Sequence, residues 1–204
     1  MAIRTPHSML LELSTVAART DGMHGVRHLS HMSRTFANKC SVHETLARVD
    51  PLIYEYWEFA NGRDASALNY GLTRITPGTI GREYHMTRGH FHLSHSDADE
   101  VYLVLQGAGL LLLQSSTGDS RVLEMRPQSM YLSPAGWAHR AVNCGQEDLL
   151  FFAVWPGLVE GDYESVERGG FPLLVVRGAN GPDAVANPSF LDHESVIGQP
   201  KPGS

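Results

Sequence analysis

Three histidines and one glutamate carry the spacing of a metal centre. His90 and His92 lie in Gly89-His90-Phe91-His92, Glu100 follows, and His139 lies in Pro134-Ala135-Gly136-Trp137-Ala138-His139-Arg140-Ala141-Val142-Asn143. In an extended strand residues two apart share a face, so His90 and His92 can reach one ion, and the other ligands must come from neighbouring strands. Imidazole and carboxylate donors with open positions suit one divalent ion per chain, Fe(II) as the first expectation and Mn(II), Zn(II) or Ni(II) as the others. Such a set describes a catalytic centre rather than a structural staple. Asp97, His95 and Asp99 share the loop before Glu100 and are rival donors. Glu100 is preferred because it opens the apolar run Val101 to Leu105, which would fix it on a rigid element.

The elements that must position these residues read as short strands: Leu52 to Phe59, Tyr70 to Thr76, Glu83 to His92, Glu100 to Gln106, Leu110 to Gln114, Val122 to Met125, Met130 to Ser133, Ala138 to Asn143, Leu149 to Trp155 and Pro172 to Arg177. Turn signals such as Pro77-Gly78, Gly107-Ala108-Gly109 and Thr117-Gly118-Asp119 separate them. Many short, closely spaced strands predict an all-β barrel or sandwich. Residues 1–50 read as an arm packed on the barrel, irregular up to residue 40, with a helical hint at Met9-Leu10-Leu11 and surface histidines at His24, His28 and His31. Ser41, with Glu44 three residues on, predicts a short capped helix to Val49. The barrel is expected over 51–178, and 179–204, rich in Gly, Pro and Asn, as a partly flexible extension.

Composition narrows the function classes. With 204 residues, 42% hydrophobic and 19% charged, the chain suits one domain. A net charge of −6 and a pI near 6.0 give no broad positive field for nucleic acid, so a phosphorylated ligand would need local donors. No apolar run is long enough to span a bilayer, and Met1-Ala2-Ile3-Arg4 does not open a signal peptide; a cytoplasmic protein is expected. Cys40 and Cys144 are expected as inert thiols.

The two blocks around the ligands resemble the motifs of the cupin superfamily, which implies a jelly-roll barrel, the cupin double-stranded β-helix. His90-Phe91-His92, Glu100 and Gly107 match the first motif, and Pro134, Gly136, His139 and Asn143 the second. Two departures are Tyr84 where the first motif has glycine, and a seven-residue gap between His92 and Glu100. From about Tyr54 to Val176 the chain is similar to the cupin-type glucose-6-phosphate isomerases. The similarity is carried by Thr73, Pro77 to Glu83, Met86 to His92, Glu100-Val101-Tyr102, Trp137 to Arg140 and Asp162-Tyr163.

That resemblance implies interconversion of glucose 6-phosphate and fructose 6-phosphate, with His90, His92, Glu100 and His139 as metal ligands. It also implies Tyr54, Thr73, Thr87, Gly89 and Tyr163 as sugar-phosphate contacts. Glu100 is the natural base for an enediol route, with a hydride shift as the simpler route if it stays a tight ligand, and Tyr102 is a second candidate for proton transfer. Arg88 and Arg140 default to solvated or salt-bridge roles. A metal-dependent oxygenase and a non-catalytic sugar-binding cupin are the rival readings, and a homodimer is the expected assembly. The family carries Gly-His before its Asp-Tyr pair and tends to have tyrosine where Trp155 stands; this chain has Glu160-Gly161. Either Glu160, or a histidine such as His95 or His85, then supplies the base that the family's histidine would be, or the substrate differs from the family's. Strict alternation places Thr87 and Gly89 opposite His90 and His92, so contact with one substrate requires a strand broken or bulged at Gly89.

Overall fold

The computed structural model describes residues 8–12, 17–19, 22–93 and 97–191. A six-stranded antiparallel sheet runs in the order Met130–Ser133, Glu100–Gln106, Leu149–Pro156, Leu68–Ile75, Leu52–Phe59 and Met23–His28. A second sheet, Ser120–Met125, Gly109–Ser115 and Trp137–Asn143, is prolonged by single bridges from Met86 to Val142 and from His90 to His139. Phe91–His92 then pairs with Gly161–Asp162. Ile75, Val104, Leu111, Met125, Val142, Leu149 and Phe151 belong to one buried cluster. Each such side chain stabilises the fold by roughly 1.5–3 kcal/mol relative to an exposed one. The result is the jelly-roll barrel of the cupin fold.

The single strand expected from Glu83 to His92 is instead Glu83–Tyr84, an irregular stretch and Phe91–His92, with Gly89 at φ +71. Gly89 is what breaks it: an added Cβ would stand 2.9 Å from Phe171 Cε2 and 3.0 Å from His139 O. The left-handed turn therefore both requires glycine and lets the chain approach its neighbour.

Residues read as irregular at the start prove extended. Leu10–Glu12 pairs with Ala17–Arg19 where a helix was hinted, and Met23–His28 is the sixth strand of the large sheet. Gly25, a helix breaker, serves that strand, because the Tyr56 ring fills the space a Cβ would take. The helix is Lys39–Leu46, and its cap is Asn38, whose side chain accepts from Ser41 N at 3.0 Å; Ser41 lies inside the helix. A further helix, Tyr163–Gly169, was not foreseen; Asp162 caps it, accepting from Ser165 N at 3.1 Å. Pro182–Ala186, within the expected tail, pairs with Leu173–Arg177. Residues 192–204 lie outside the described residues.

Two rows of the outer face of the large sheet are apolar, beside a row that carries the Glu55–Arg74 ion pair. In register across five strands run Phe59, Tyr70, Val154, Val101 and Leu132, and beside them Trp57, Leu72, Phe152, Leu103 and Met130. Val101, Leu132 and Met130 are exposed by 42%, 51% and 73%. No helix among the described residues is long and apolar enough to cross a membrane.

Candidate metal centre and its cavity

The ligand atoms of His90, His92, Glu100 and His139 lie within 4.8 Å of one another. Three elements bring them there. Glu100 begins a strand of the large sheet, His139 sits mid-strand in the facing sheet, and His90 bridges to it through His90 N–H donating to His139 O (3.3 Å) and His139 N–H to His90 O (3.1 Å). The rival acids have other work. Asp97 Oδ1 accepts from Gly136 N (2.8 Å) and Asp99 Oδ1 from Ala135 N (2.9 Å), pinning the turn that leads into the His139 strand. His95 lies outside the described residues.

Outer contacts orient the imidazoles. His92 Nδ1 meets the Ala98 carbonyl at 2.6 Å and His139 Nδ1 meets Ser133 Oγ at 2.9 Å, so both rings aim Nε2 at Glu100 Oε2, at 3.3 and 3.2 Å. With Nδ1 carrying the proton, Nε2 keeps its lone pair. His139 Nε2 is buried and, despite the 3.2 Å approach, is misaligned for a hydrogen bond, leaving it without a partner. An orphaned imidazole nitrogen beside a buried carboxylate is the vacancy of donors that a cation satisfies.

Electrostatics agree. Burial alone would raise the Glu100 carboxyl, but the charge and contacts of His139, with His92 and His90, hold it well below the usual carboxylate range. Burial, with repulsion from His139 second, pushes His90 far down, so its ring stays neutral. Burial lowers His92 as well, but its hydrogen bond to Glu100 and that carboxylate's charge prevail and raise it. Burial, then the Glu100 charge and hydrogen bond, raises the Tyr102 hydroxyl well above its ordinary value and keeps it a neutral donor.

A cavity of about 400 Å3 opens over this cluster. Its lining includes Tyr54, Thr73, Thr87, Gly89, His90, Glu100, Tyr102, His139 and Tyr163, so of the expected metal ligands, proton-transfer groups and sugar-phosphate contacts all but His92 are on its surface. The break at Gly89 is what lets Thr87, Gly89 and His90 face one space. Thr87 Oγ1 accepts from Ala141 N at 3.1 Å, leaving its own proton free to donate.

Several lining residues were not singled out. Arg27 comes from the edge strand, donating to Tyr56 Oη at 3.0 Å and lying 5.2 Å over that ring. Tyr56 and Glu58 follow Tyr54 at alternate positions, a period-two signal present in the sequence. Arg88 is half-buried rather than solvated, paired with Glu167 and 4.9 Å over the Tyr163 ring. Arg140 is buried and structural: its Nε and one NH2 donate to the Arg88 carbonyl at 3.2 and 2.6 Å, and it lies 4.5 Å over Phe171.

Of the substitutes for the missing family histidine, His85 is buried away from the cavity, its Nδ1 near Thr76 Oγ1 at 3.0 Å. Glu160 lines an adjoining cavity. Gly161 admits no side chain, because a Cβ there would meet Tyr163 Cε2 at 2.7 Å and His90 Cδ2 at 2.9 Å. Cys40 and Cys144 are free thiols, and burial pushes Cys144 up to about 12.

Among solved structures, an oxalate oxidase covers 58% of this chain and of its own at 14% identity and a TM-score of 0.47. The oxalate decarboxylase of Lactobacillus farciminis covers 54% of this chain and 30% of its own at 18% identity and a TM-score of 0.44. Sequence relatives are nearer. The glucose-6-phosphate isomerase of Pyrococcus abyssi is 36% identical over 165 residues, 81% of this chain and 87% of the relative. That of Thermococcus litoralis is 33% identical over 86% of this chain and 92% of the relative. A putative glucose-6-phosphate isomerase of Rhizobium meliloti is 35% identical over 69% of this chain and 66% of its own. The family model described as glucose-6-phosphate isomerase matches residues 35–185, both ligand blocks included, and the chain belongs to that family.

Proposed function

We propose that the chain is a metal-dependent isomerase interconverting glucose 6-phosphate and fructose 6-phosphate. The observation that carries this reading is the cavity over the cluster of four metal-type donors, three of which line it together with Tyr54, Thr73, Thr87 and Tyr163. His90, His92, Glu100 and His139 would hold the divalent ion, Fe(II) first and Mn(II), Zn(II) or Ni(II) as alternatives. A bound ion supplies Lewis acidity and a template for the two adjacent oxygens that exchange roles.

The chain's own residues do the rest. The donors Tyr54, Thr73, Thr87 and the Gly89 N–H bind the phosphate, with Arg27 and Arg88 adding positive charge at that end, and Tyr163 closes over the sugar. Glu100 is the base that carries a proton between C2 and C1 through an enediol, and Tyr102, hydrogen-bonded to it, donates to a substrate oxygen. A second route has its own support: Glu100 Oε2 lies 3.3 and 3.2 Å from the Nε2 atoms of His92 and His139, inside the ligand cluster, and a carboxylate kept there as a tight ligand favours a direct hydride shift. Hydroxyl donors and guanidinium groups in the cavity argue against the apolar pocket of an oxygenase acting on hydrocarbon substrates.

The apolar outer face of the large sheet fits a second copy of the same chain, giving a cytoplasmic homodimer by sheet packing. At one end of its two registered rows Val101, Leu132 and Met130 are exposed by 42%, 51% and 73%, and exposed apolar area of this kind supports an interface. The deciding experiment is a coupled assay of fructose 6-phosphate turnover before and after chelation, with metals restored one at a time. Turnover that is abolished by chelation and recovered with one ion is expected; oxygen consumption, or no turnover with any ion, overturns the reading. In deuterated water, carbon-bound deuterium in the product marks the enediol route and its absence the hydride shift.

A further inference from the structure

A second carboxylate faces the same cavity. Glu58 stands on the strand Leu52–Phe59 two and four residues beyond Tyr56 and Tyr54, on the face that lines the cavity. In register across the sheet from it run Gly71, Ala153 and Tyr102. Gly71 and Ala153 present at most a methyl group, so a trench about 14 Å long between Cα positions joins Glu58 to the Tyr102 and Glu100 end, from three strand spacings of ~4.8 Å. Trp155 bounds it, its Cη2 3.4 Å from where a Gly71 Cβ would be. Among the described residues nothing hydrogen-bonds or ion-pairs with the Glu58 carboxyl.

Glu100 belongs to the metal-type cluster, whereas the Glu58 carboxyl faces the cavity with no partner among the described residues and is placed to exchange a proton with a substrate oxygen. Burial, and then the Glu100 charge, raise it above the ordinary carboxylate range. The other charged groups facing this space are Arg27 and Arg88 in the cavity, and Arg63 and Glu160 in the adjoining cavity that shares Glu58 as a wall.

We propose that Glu58 is the acid–base group that opens the sugar ring before isomerisation. The inference rests on the isomerase reading, since hexose phosphates in water are cyclic and a C1–C2 rearrangement requires the open chain. The step balances within one carboxylic acid. Its O–H protonates the ring oxygen as the C1–O5 bond breaks and that bond's electron pair goes to O5. Its carbonyl oxygen takes the O1 proton as the C1=O1 bond forms, and the carboxyl is regenerated as its other tautomer.

The test is exchange of the α and β anomers of glucose 6-phosphate, followed by exchange NMR on the full chain with its metal restored. Wild type is expected to accelerate exchange well above the buffer rate. E58Q is expected to lose it by about 100-fold or more, the scale of a general acid–base group, with metal content and melting temperature unchanged. E58D, which keeps the carboxyl on a shorter stem, should fall between them. Wild type exchanging at the buffer rate, or E58Q exchanging like wild type, overturns the proposal, as does an E58Q that raises KM with kcat intact. If E58Q does not fold, the wild-type rate and E58D still decide. The two readings fail differently: an active isomerase with buffer-rate exchange sinks only the Glu58 role, whereas a chain inert toward both hexose phosphates sinks the isomerase.

Discussion

Substituting Gly89 by alanine tests whether the broken strand builds the site. Gly89 holds φ +71, where an L side chain costs about 1–2 kcal/mol. The new Cβ would also stand 2.9 Å from Phe171 Cε2, 3.0 Å from His139 O and 3.1 Å from Arg140 Cβ. The carbonyl of His139 accepts the His90 N–H, so moving it by a few tenths of an ångström displaces two ligands of the cluster together. Crowding should bring the total loss to roughly 2–3 kcal/mol, which for a chain of this size lowers the melting temperature by about 5–10 °C. Metal-centre geometry tolerates only about 0.5 Å of error, so kcat/KM should fall at least ~10-fold. The control is Gly118→Ala, which has the same kind of conformation, φ +95, but nothing within 4 Å of a new Cβ. It should lose stability from backbone strain alone and keep full activity. Differential scanning calorimetry, chelator competition and initial rates read all three quantities. Gly89→Ala matching Gly118→Ala in melting, metal affinity and rate would refute the reasoning.

Other perturbations follow from single contacts. Ser133→Ala removes the partner of His139 Nδ1 and should weaken metal binding about 10–100-fold by chelator competition, with little change in fold. His85, lowered by burial to about 4 from 6.5, stays neutral in the fold while the unfolded chain takes a proton. Stability present above pH 6.5 is therefore lost as pH falls toward 4, by up to about 3 kcal/mol; His85→Gln should flatten that part of the stability–pH curve, and an unchanged slope would refute the assignment. Leu132→Lys, at a position 51% exposed on the apolar outer face, should convert a dimer to monomer in sedimentation velocity while leaving the melting of the monomer little altered. Arg140→Lys loses the fork on the Arg88 carbonyl and should raise KM more than it lowers kcat, because the phosphate-side loop is loosened and the metal cluster is not.

The sequence made the barrel and its ligand blocks legible because both rest on short-range regularities. Period-two alternation placed Leu52–Phe59, Glu100–Gln106 and Met130–Ser133 at their observed bounds, and the ligand types recur at strand spacings. What was not legible depends on long-range contacts. Met23–His28 has weak strand propensity, with Gly25 at its centre, and is extended because it pairs with Leu52–Phe59 and gives room to the Tyr56 ring. Arg27 could not be placed in the cavity without that pairing. The helix carrying Tyr163 is seven residues long and held by the Asp162 cap, a signal too brief to stand out before Gly169-Gly170. The helix cap fell to Asn38 rather than Ser41 because both are good caps and only tertiary contact, with Glu83 accepting from Asn38 N, selects between them.

The geometry of the large sheet gives its two faces different residues. Tyr54, Tyr56, Glu58, Thr73, Phe151 and Tyr102 line the cavity, whereas Phe59, Phe152 and Leu103, one residue away on their strands, do not. Because side chains alternate with period two, a slip of one residue in any strand would exchange the two faces, putting apolar groups in the cavity and cavity-lining polar groups on the outer face. Correct register is thus required twice over, and the penalty for losing it is paid on both surfaces. The device that lets the facing wall escape strict alternation is the break at Gly89, which turns Thr87, Gly89 and His90 toward one cavity. A regular strand there would keep His90 and His92 on one face but turn Thr87 and Gly89 to the other, away from the space over Glu100 and His139.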